Sequence, residues 1–137
     1  MTRVMAQGTF DLIHPGHLHY LRESRKLGDE LYVVIARDSR VRGEKELVMP
    51  EEARREVVDA LEMVDEAMLG SEDSIFDSVE RIQPDIITLG YDQDHDVEEL
   101  ERRLAGQGFD RVEVHRIEEY TGKVASSTEL RRNASEH

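Results

Sequence analysis

Apolar residues along the chain fall in short runs, separated by longer segments in which they recur every three or four positions. The short runs are typical of strands, and residues 31–36 (LYVVIA) indicate a strand that is covered on both faces. The longer segments are typical of amphipathic helices. We predict strands at residues 3–7, 31–36, 66–69, 85–89 and 111–115, and helices at residues 17–26, 75–82, 97–106 and 126–132, with a further helix that begins at residue 50.

Local signals mark the ends of the predicted helices. Gly28 is expected to end the first helix, and Pro50 to open the second. Ser126 is expected to cap the last helix. The second helix is predicted to bury an apolar stripe formed by Ala53, Val57, Val58 and Leu61.

The strict alternation of strands and helices predicts the topology. Strands joined by helical crossovers run parallel, and right-handed crossovers produce a doubly wound sheet. We therefore predict an α/β fold, a single Rossmann-like domain over residues 1–137 with a five-stranded parallel sheet, helices on both faces and a frayed tail at residues 133–137. Ligands bind such sheets at the carboxyl ends of the strands. The polar segments that follow predicted strands are residues 8–16, 37–49, 90–96 and 116–127.

The charge of the chain limits its partners. Its 137 residues include 31 acidic and 18 basic ones, which gives a formal net charge of -13. Such a surface repels nucleic acid and anionic lipid, so neither is an expected partner. The acidic residues are spread along the whole chain, and lysines are rare. This distribution favours a halophilic protein over an acidic partner-binding surface.

The absence of certain residues and segments restricts the chemistry and the location. The chain has no cysteine, which excludes disulfides, thiolate catalysis and sulfur-ligated zinc. No run of about 18 apolar residues is present, so we expect no membrane span. The N-terminal residues lack the apolar core and cleavage site of a signal peptide. We therefore expect a cytoplasmic protein.

The candidate chemistry is concentrated in residues 8–17 (GTFDLIHPGH), which join the first predicted strand to the first predicted helix. Gly8 is expected to allow a sharp turn, and Gly16 to let the backbone approach a phosphate. A helix start offers free N–H groups and the positive end of its dipole to an anion. His14 and His17 can each donate an N–H to a phosphate oxygen, and we predict that they stabilise charge there during reaction. Two surface or capping histidines are the structural alternative, which this context disfavours.

With this motif the chain resembles the cytidylyltransferase-like nucleotidyltransferase superfamily over nearly its whole length. A second family element, of ISTT type, reads ASST here and precedes the last predicted helix. The hydroxyls of Ser126, Ser127 and Thr128 at a helix N-terminus suit the β- and γ-phosphates of a nucleotide. By itself this pattern would indicate an ordinary helix cap.

Within the superfamily the chain is most similar to archaeal FAD synthases. The stretches that carry this similarity are LGDELYVVIARD, MPEEARREVVDAL and PDIITLGYDQ. The resemblance implies that ATP and FMN react to give FAD and pyrophosphate, and that the protein is a homodimer. We expect a divalent metal, with Mg²⁺ favoured, because this ion bridges triphosphate oxygens with few protein ligands. We also expect direct in-line attack on the α-phosphorus, without a covalent enzyme intermediate.

The resemblance assigns roles to single residues. His14 and His17 match the phosphate-binding and catalytic histidines, and Gly90 and Asp92 match a G-x-D element near the base and ribose. The residues assigned to the nucleotide are Gly8, Thr9, Phe10, Asp11, His14, Gly16, His17, Gly90, Asp92, Arg116, Ser126, Ser127 and Thr128.

Basic residues are the next candidates, because cations offset the charge of a triphosphate. Lys45 lies in the loop where the family has a mobile lysine, and we predict that it is catalytic and contacts the acceptor or a phosphate. Arg116 ends the last strand at the ligand-binding edge and is predicted to bind the triphosphate or the acceptor. Arg54 is predicted to bind the acceptor or a phosphate. As an alternative, it and the next arginine could pair on the helix surface with Glu51 and Asp59.

Acidic side chains also lie near the predicted ligand-binding loops, at Asp11 and in residues 92–96. Asp11 is predicted to orient a histidine or to hold a metal-linked water. Residues 92–96 (DQDHD) lack the spacing of an EF-hand, and we interpret them as an acidic loop. No protein side chain is therefore assigned as a metal ligand.

Two other functions stay open. The first is a cytidylyltransferase for glycerol 3-phosphate or a related small acceptor, although Gly90 is followed here by YDQ and not by the DDW type associated with those enzymes. The second is a non-catalytic nucleotide-binding sensor, which the presence of both histidines and of the hydroxyl-rich element disfavours. Some archaeal FAD synthases carry cysteines near the C-terminus, so any thiol-dependent property of theirs cannot apply to this chain.

Overall fold

The computed structural model describes residues 1–40, 47–71, 74–91, 93 and 96–119. The predicted helix at residues 126–132 and the predicted tail at residues 133–137 lie outside these residues. The strands are β1 (Arg3–Gly8), β2 (Glu30–Ile35), β3 (Glu66–Leu69), β4 (Ile86–Leu89) and β5 (Glu113–Arg116), and the helices are α1 (Pro15–Arg25), α2 (Glu51–Asp59), α3 (Ile75–Ile82) and α4 (Val97–Gly106), with a 3-10 turn at Asp38–Arg40.

The strands form one parallel sheet in the order β3-β2-β1-β4-β5. The order reverses between β1 and β4, which makes the carboxyl ends of these two strands the topological switch point of the sheet. β1 pairs with β4 only at Val4 and Met5, whereas it pairs with β2 along its whole length. The predicted α/β fold with a five-stranded parallel sheet is confirmed.

Helices cover both faces of the sheet, as predicted. On one face, Leu21 of α1 and Val58 of α2 are completely buried in a cluster with side chains of β1 and β2. On the other face, Val79 of α3 and Leu104 of α4 are buried against β4 and β5. Each buried side chain of this size contributes about 1.5–3 kcal/mol to the free energy of folding. The two apolar layers therefore hold the sheet between them.

Several local predictions are corrected by the structure. The cap at the end of α1 is Lys26, which keeps a right-handed helical conformation, so Gly28 does not end the helix as predicted. A β-carbon at Gly28 would lie 2.8 Å from the Thr2 carbonyl oxygen, so this glycine is required for close packing. In α2 the predicted stripe is also partly wrong, because Val57 is 40% exposed while Arg54 is buried.

A buried polar network attaches α1 to the sheet at the switch point. The Tyr20 hydroxyl donates to the Thr88 carbonyl at 2.8 Å and accepts from the Gln7 backbone N–H at 3.2 Å. The Ser24 hydroxyl lies 2.8 Å from the Thr88 hydroxyl. β4 does not pair with β1 at Gln7. The Tyr20 hydroxyl therefore accepts the Gln7 N–H, which would otherwise lack a partner between these two strands. The network therefore fixes the position of α1 and of the residues at its start.

Candidate active site

The two histidines of the motif cap α1 themselves, so the capping alternative that the sequence disfavoured is present in the structure. His14 is the N-cap residue, and its Nδ1 accepts a hydrogen bond from the Gly16 N–H at 3.1 Å. His17 is the third residue of the helix, and its Nδ1 accepts from the His14 N–H at 3.4 Å. This is the reciprocal arrangement of a capping box, with imidazoles in the places usually taken by Ser or Thr and by Glu or Gln. The helix therefore begins at Pro15, two residues before the predicted start.

The capping bonds also hold the rings together. The centroids of the His14 and His17 rings are 3.8 Å apart, and the rings are stacked with an angle of 25° between their planes. Because Nδ1 accepts a backbone hydrogen bond in each ring, the proton of each neutral ring is on Nε2. The helix start thus places two Nε2–H groups on adjacent, stacked rings, and the ring of His14 is buried.

His17 is kept neutral by its surroundings. Burial is the main cause that lowers its pKa from 6.5 to about 4, and the positive charge that His14 can carry also lowers it. A hydrogen bond with the Leu12 backbone raises the pKa by less. At neutral pH the ring of His17 is therefore an uncharged hydrogen-bond donor and not an acid.

Phe10 has an unusual backbone conformation in the middle of the motif. Its φ is 53°, in the left-handed region that bulky residues rarely adopt. Its ring is buried, with its centroid 5.2 Å from that of His17 and 6.4 Å from that of Tyr20. A β-carbon at Gly8 would lie 2.8 Å from the Phe10 ring. Gly8 is therefore required to admit this ring, and the sharp turn predicted at Gly8 is made by Phe10.

Asp11 joins the motif to the residues that precede α2. Its buried carboxylate accepts the Val48 N–H at 2.9 and 3.0 Å, one distance to each oxygen, and the Met49 N–H at 2.9 Å. The predicted role in orienting a histidine or holding a metal-linked water stays a prediction. The contacts present show a carboxylate that fixes a backbone segment.

Arg54 is bonded inside the protein through all three of its guanidinium nitrogens. Its side chain has 0% exposure, and it donates to the Thr9 carbonyl at 2.8 Å, to the Met49 carbonyl at 3.2 Å and to the Asp38 carboxylate at 2.6 Å. The alternative pairing with Glu51 is wrong, because Glu51 is bonded to Arg37.

The adjacent Arg55 is bonded to Glu52, and not to Asp59 as that alternative proposed. The Asp59 carboxylate instead accepts the Ala67 backbone N–H at 2.9 Å. The prediction that Arg54 binds the acceptor or a phosphate remains a prediction, and its contacts support a positioning role.

The loop after β4 is held across the switch point. The Gln93 side chain accepts the Gly90 N–H at 2.8 Å and donates to the Gln7 carbonyl at 3.1 Å. Arg116 donates to the carbonyls of Gly90 and Gln93 at 2.8 and 3.1 Å. Gln93 therefore bridges the ends of β1 and β4, and sequence reasoning missed it. The signal that could have identified it is its position in the loop at the carboxyl end of β4.

The structure brings one part of the predicted site together. The motif residues, Gly90 and Arg116 follow or end strands at the carboxyl edge of the sheet. Other predicted site residues, namely Lys45, Asp92, Ser126, Ser127 and Thr128, lie outside the described residues. Within the described part of the chain, no group of three or more His, Cys, Asp or Glu side chains is arranged to hold a metal ion. No helix among the same residues has the length and apolar character needed to cross a membrane.

Comparison with known proteins identifies relatives along most of the chain. The model of the cytidylyltransferase-like family matches residues 5–133. The FAD synthase of Halorhabdus utahensis is 54% identical over 120 residues, which cover 88% of this chain and 84% of that protein. The FAD synthase of Picrophilus torridus is 48% identical over 135 residues, which cover 98% and 96%. A crystal structure from Thermoplasma volcanium, described as a lipopolysaccharide core biosynthesis protein, is similar with a TM-score of 0.84 and 48% identity, over 88% of this chain and 98% of that one.

Proposed function

The chain belongs to the cytidylyltransferase-like family, and from this membership and from the histidine site we propose that it is an FAD synthase, which transfers AMP from ATP to FMN and releases pyrophosphate. The product follows from two relatives that are FAD synthases, which match at 54% and 48% identity, and the substrates are those that the resemblance to this family implies. The observation that carries the proposal is the stacked pair of Nε2–H donors at the start of α1.

In the proposed reaction an oxygen of the FMN phosphate attacks the α-phosphorus of ATP in line. The new oxygen–phosphorus bond forms while the bond from the α-phosphorus to the oxygen that bridges it to the β-phosphate breaks, and pyrophosphate leaves with that electron pair. The acceptor is already an anion near neutral pH, so no proton has to be removed from it. The enzyme therefore acts by positioning the reactants and stabilising charge.

The neutral state of His17 suits this role. Negative charge on the oxygens of the α-phosphate is redistributed in the transition state, and fixed N–H donors stabilise it without having to reorganise. We propose that the Nε2–H groups of His14 and His17 act as two such donors side by side when the nucleotide is bound; in the structure His17 is hydrogen-bonded to the Leu12 backbone, and the Nδ1 atoms of both rings are occupied by the helix cap. The start of α1 adds the positive end of the helix dipole.

The remaining parts of the site are proposed from the sequence. Lys45 would contact the acceptor or a phosphate, and Ser126, Ser127 and Thr128 would bind the β- and γ-phosphates. Asp92, with Gly90 before it, would lie near the base and ribose. A divalent ion, with Mg²⁺ favoured, would enter as part of the nucleotide substrate, because Mg²⁺ takes most of its ligands from phosphates and water. The homodimer and the cytoplasmic location are proposals of the same kind.

A grid of substrates tests the proposal. Pyrophosphate release and FAD fluorescence are measured in molar potassium chloride with Mg²⁺, for ATP or CTP combined with FMN or glycerol 3-phosphate. We expect FAD from ATP and FMN, and no product from the other pairs. Turnover of CTP with glycerol 3-phosphate alone would replace the substrate assignment. Nucleotide binding without pyrophosphate release from any pair would contradict an enzymatic function and favour a sensor.

A further inference from the structure

We propose that Asp11 and Arg54 are positioning residues for this transfer, and that together they hold the left-handed turn at Phe10 that sets the place of the two histidine rings. The inference rests on the proposed function for its kinetic part only. Its structural part concerns the ring of His17 and can be tested without turnover.

The burial of Arg54 requires a reason. A charged side chain with no exposed surface is costly unless it is paired and hydrogen-bonded, and Arg54 satisfies both conditions. Its three partners belong to three separate segments of the chain: Thr9 in the motif, Asp38 after β2, and Met49 before α2. The guanidinium group therefore fixes the motif relative to both segments, which a lysine with a single charged nitrogen cannot reproduce.

One of these bonds acts directly on the unusual turn. The Thr9 carbonyl belongs to the peptide unit that precedes Phe10, and Arg54 donates to it at 2.8 Å. Phe10 has a φ of 53°, which is strained for a bulky residue and persists only where the surroundings determine it. Rotation of that peptide unit towards an ordinary φ would break the bond to Arg54.

Asp11 secures the same turn from its other side. Its carboxylate accepts the N–H groups of Val48 and Met49, while Arg54 donates to the Met49 carbonyl. The backbone of Met49 is thus bonded on its N–H side to the motif and on its carbonyl side to α2. Thr9 and Asp11, the residues on either side of Phe10, are consequently both held to one segment.

The turn at Phe10 also positions the ring of His17. The Phe10 ring meets the His17 ring edge to face, with 5.2 Å between centroids and an angle of 66° between planes. If the turn relaxed, the Phe10 ring would leave this position and the His17 ring would gain exposure to water. The transition-state donor would then be misplaced, and a displacement of about 1 Å can lower a rate on the order of 100-fold.

The test uses Arg54→Gln, Arg54→Lys and Asp11→Asn in the full-length protein. For each variant, kcat and KM for ATP and FMN are measured together with the pKa of His17 from ring NMR signals and the thermal unfolding midpoint. We expect kcat of Arg54→Gln to fall on the order of 100-fold with little change in KM, because the misplaced donors act in the transition state. We expect the pKa of His17 to rise from about 4 towards 6.5. Arg54→Lys and Asp11→Asn should show smaller changes in the same direction.

The control is Arg55→Gln, which removes the next arginine of α2. Its side chain is bonded to Glu52 and is about one-third exposed. Arg55→Gln should leave kcat and the pKa of His17 unchanged.

Variants of Arg54 and Asp11 that are folded, turn over normally and keep the His17 pKa near 4 would overturn the inference. A purely structural role would lower the unfolding midpoint alone, and that outcome would also overturn it. If Arg54→Gln does not fold, the kcat and the His17 pKa of Arg54→Lys and Asp11→Asn test the inference. A wild-type protein that makes no FAD refutes the proposed function, while the NMR measurement still decides the inference.

Discussion

The depressed pKa of His17 predicts a pH dependence of stability that can be isolated with one substitution. His17→Gln removes the titrating ring but keeps the capping bond, because glutamine is a usual residue at the third position of a capping box. The difference in unfolding free energy between wild type and this variant then reports the protonation of His17. Carboxylates that titrate in the same pH range are present in both proteins and cancel.

The sign follows from the direction of the shift. The pKa of His17 is about 4 in the folded protein and 6.5 in an unfolded chain, so the unfolded chain binds the proton first as the pH falls. The contribution of His17 to stability is complete above about pH 6.5 and is lost as the pH decreases towards 4. The whole pKa difference corresponds to about 3 kcal/mol, of which about 2 kcal/mol is lost by about pH 5.

The assay is urea unfolding followed by circular dichroism at constant potassium chloride, at about pH 7.5 and about pH 5. We expect the stability of wild type relative to His17→Gln to be lower by about 2 kcal/mol at the lower pH. His115→Gln, which replaces a histidine whose side chain is 41% exposed, is the matched control for the loss of a histidine. A wild-type-to-variant difference that is the same at both pH values would refute the reasoning, because it would mean that burial does not oppose protonation of His17.

Four further predictions concern the site and the packing around it. His17→Ala should lower kcat by about two orders of magnitude or more in an otherwise folded protein, as measured by pyrophosphate release and circular dichroism, and near-normal turnover would contradict the role of the ring. Gly8→Ala should cost about 1–3 kcal/mol in urea unfolding, because its β-carbon would lie 2.8 Å from the Phe10 ring, and unchanged stability would show that the ring can move aside. Tyr20→Phe should cost about 1–3 kcal/mol in the same assay, because the buried Thr88 carbonyl loses its hydroxyl donor, and a neutral substitution would show that water replaces it. The unfolding midpoint of wild type should rise with potassium chloride, because salt screens the repulsion of a net charge of -13, and a salt-independent midpoint would argue against adaptation to high salt.

The order of strands and helices could be predicted because each apolar pattern has a period that indicates one type of element. The helices at Ile75–Ile82 and Val97–Gly106 and the strand at Glu66–Leu69 begin and end where they were predicted. The start of α1 was predicted two residues late. Ser, Thr, Asp and Asn are the side chains expected at an N-cap, and His14 takes that place here through its Nδ1. Capping histidines were considered in the sequence analysis as the alternative to phosphate binding and were disfavoured, whereas the structure shows that both histidines do cap the helix.

Other features could not be predicted because they depend on contacts between distant residues. The sequence pattern of α2 places Arg54 beside apolar positions, and nothing local indicates that it is buried. Its burial depends on the carbonyl of Thr9, 45 residues earlier, and on the carboxylate of Asp38, 16 residues earlier. The conformation of Phe10 is likewise set by its neighbours in space, because its intrinsic preference opposes a positive φ.

A strongly acidic protein that binds a triphosphate poses an electrostatic problem, and the histidine motif addresses it with neutral groups. The charge of Arg54 is balanced by Asp38 at 2.6 Å, and His17 is uncharged at neutral pH, so neither adds net positive charge to the mouth of the site. The N–H groups of two imidazoles and of a helix start can bind an anion as dipoles over hydrogen-bond distances. The repulsion from the net charge of -13 acts over longer distances, and molar salt reduces its range to about 3 Å. Salt therefore weakens the repulsion that opposes binding more than the short contacts that favour it, which is the combination that a site of this kind requires in a concentrated salt solution.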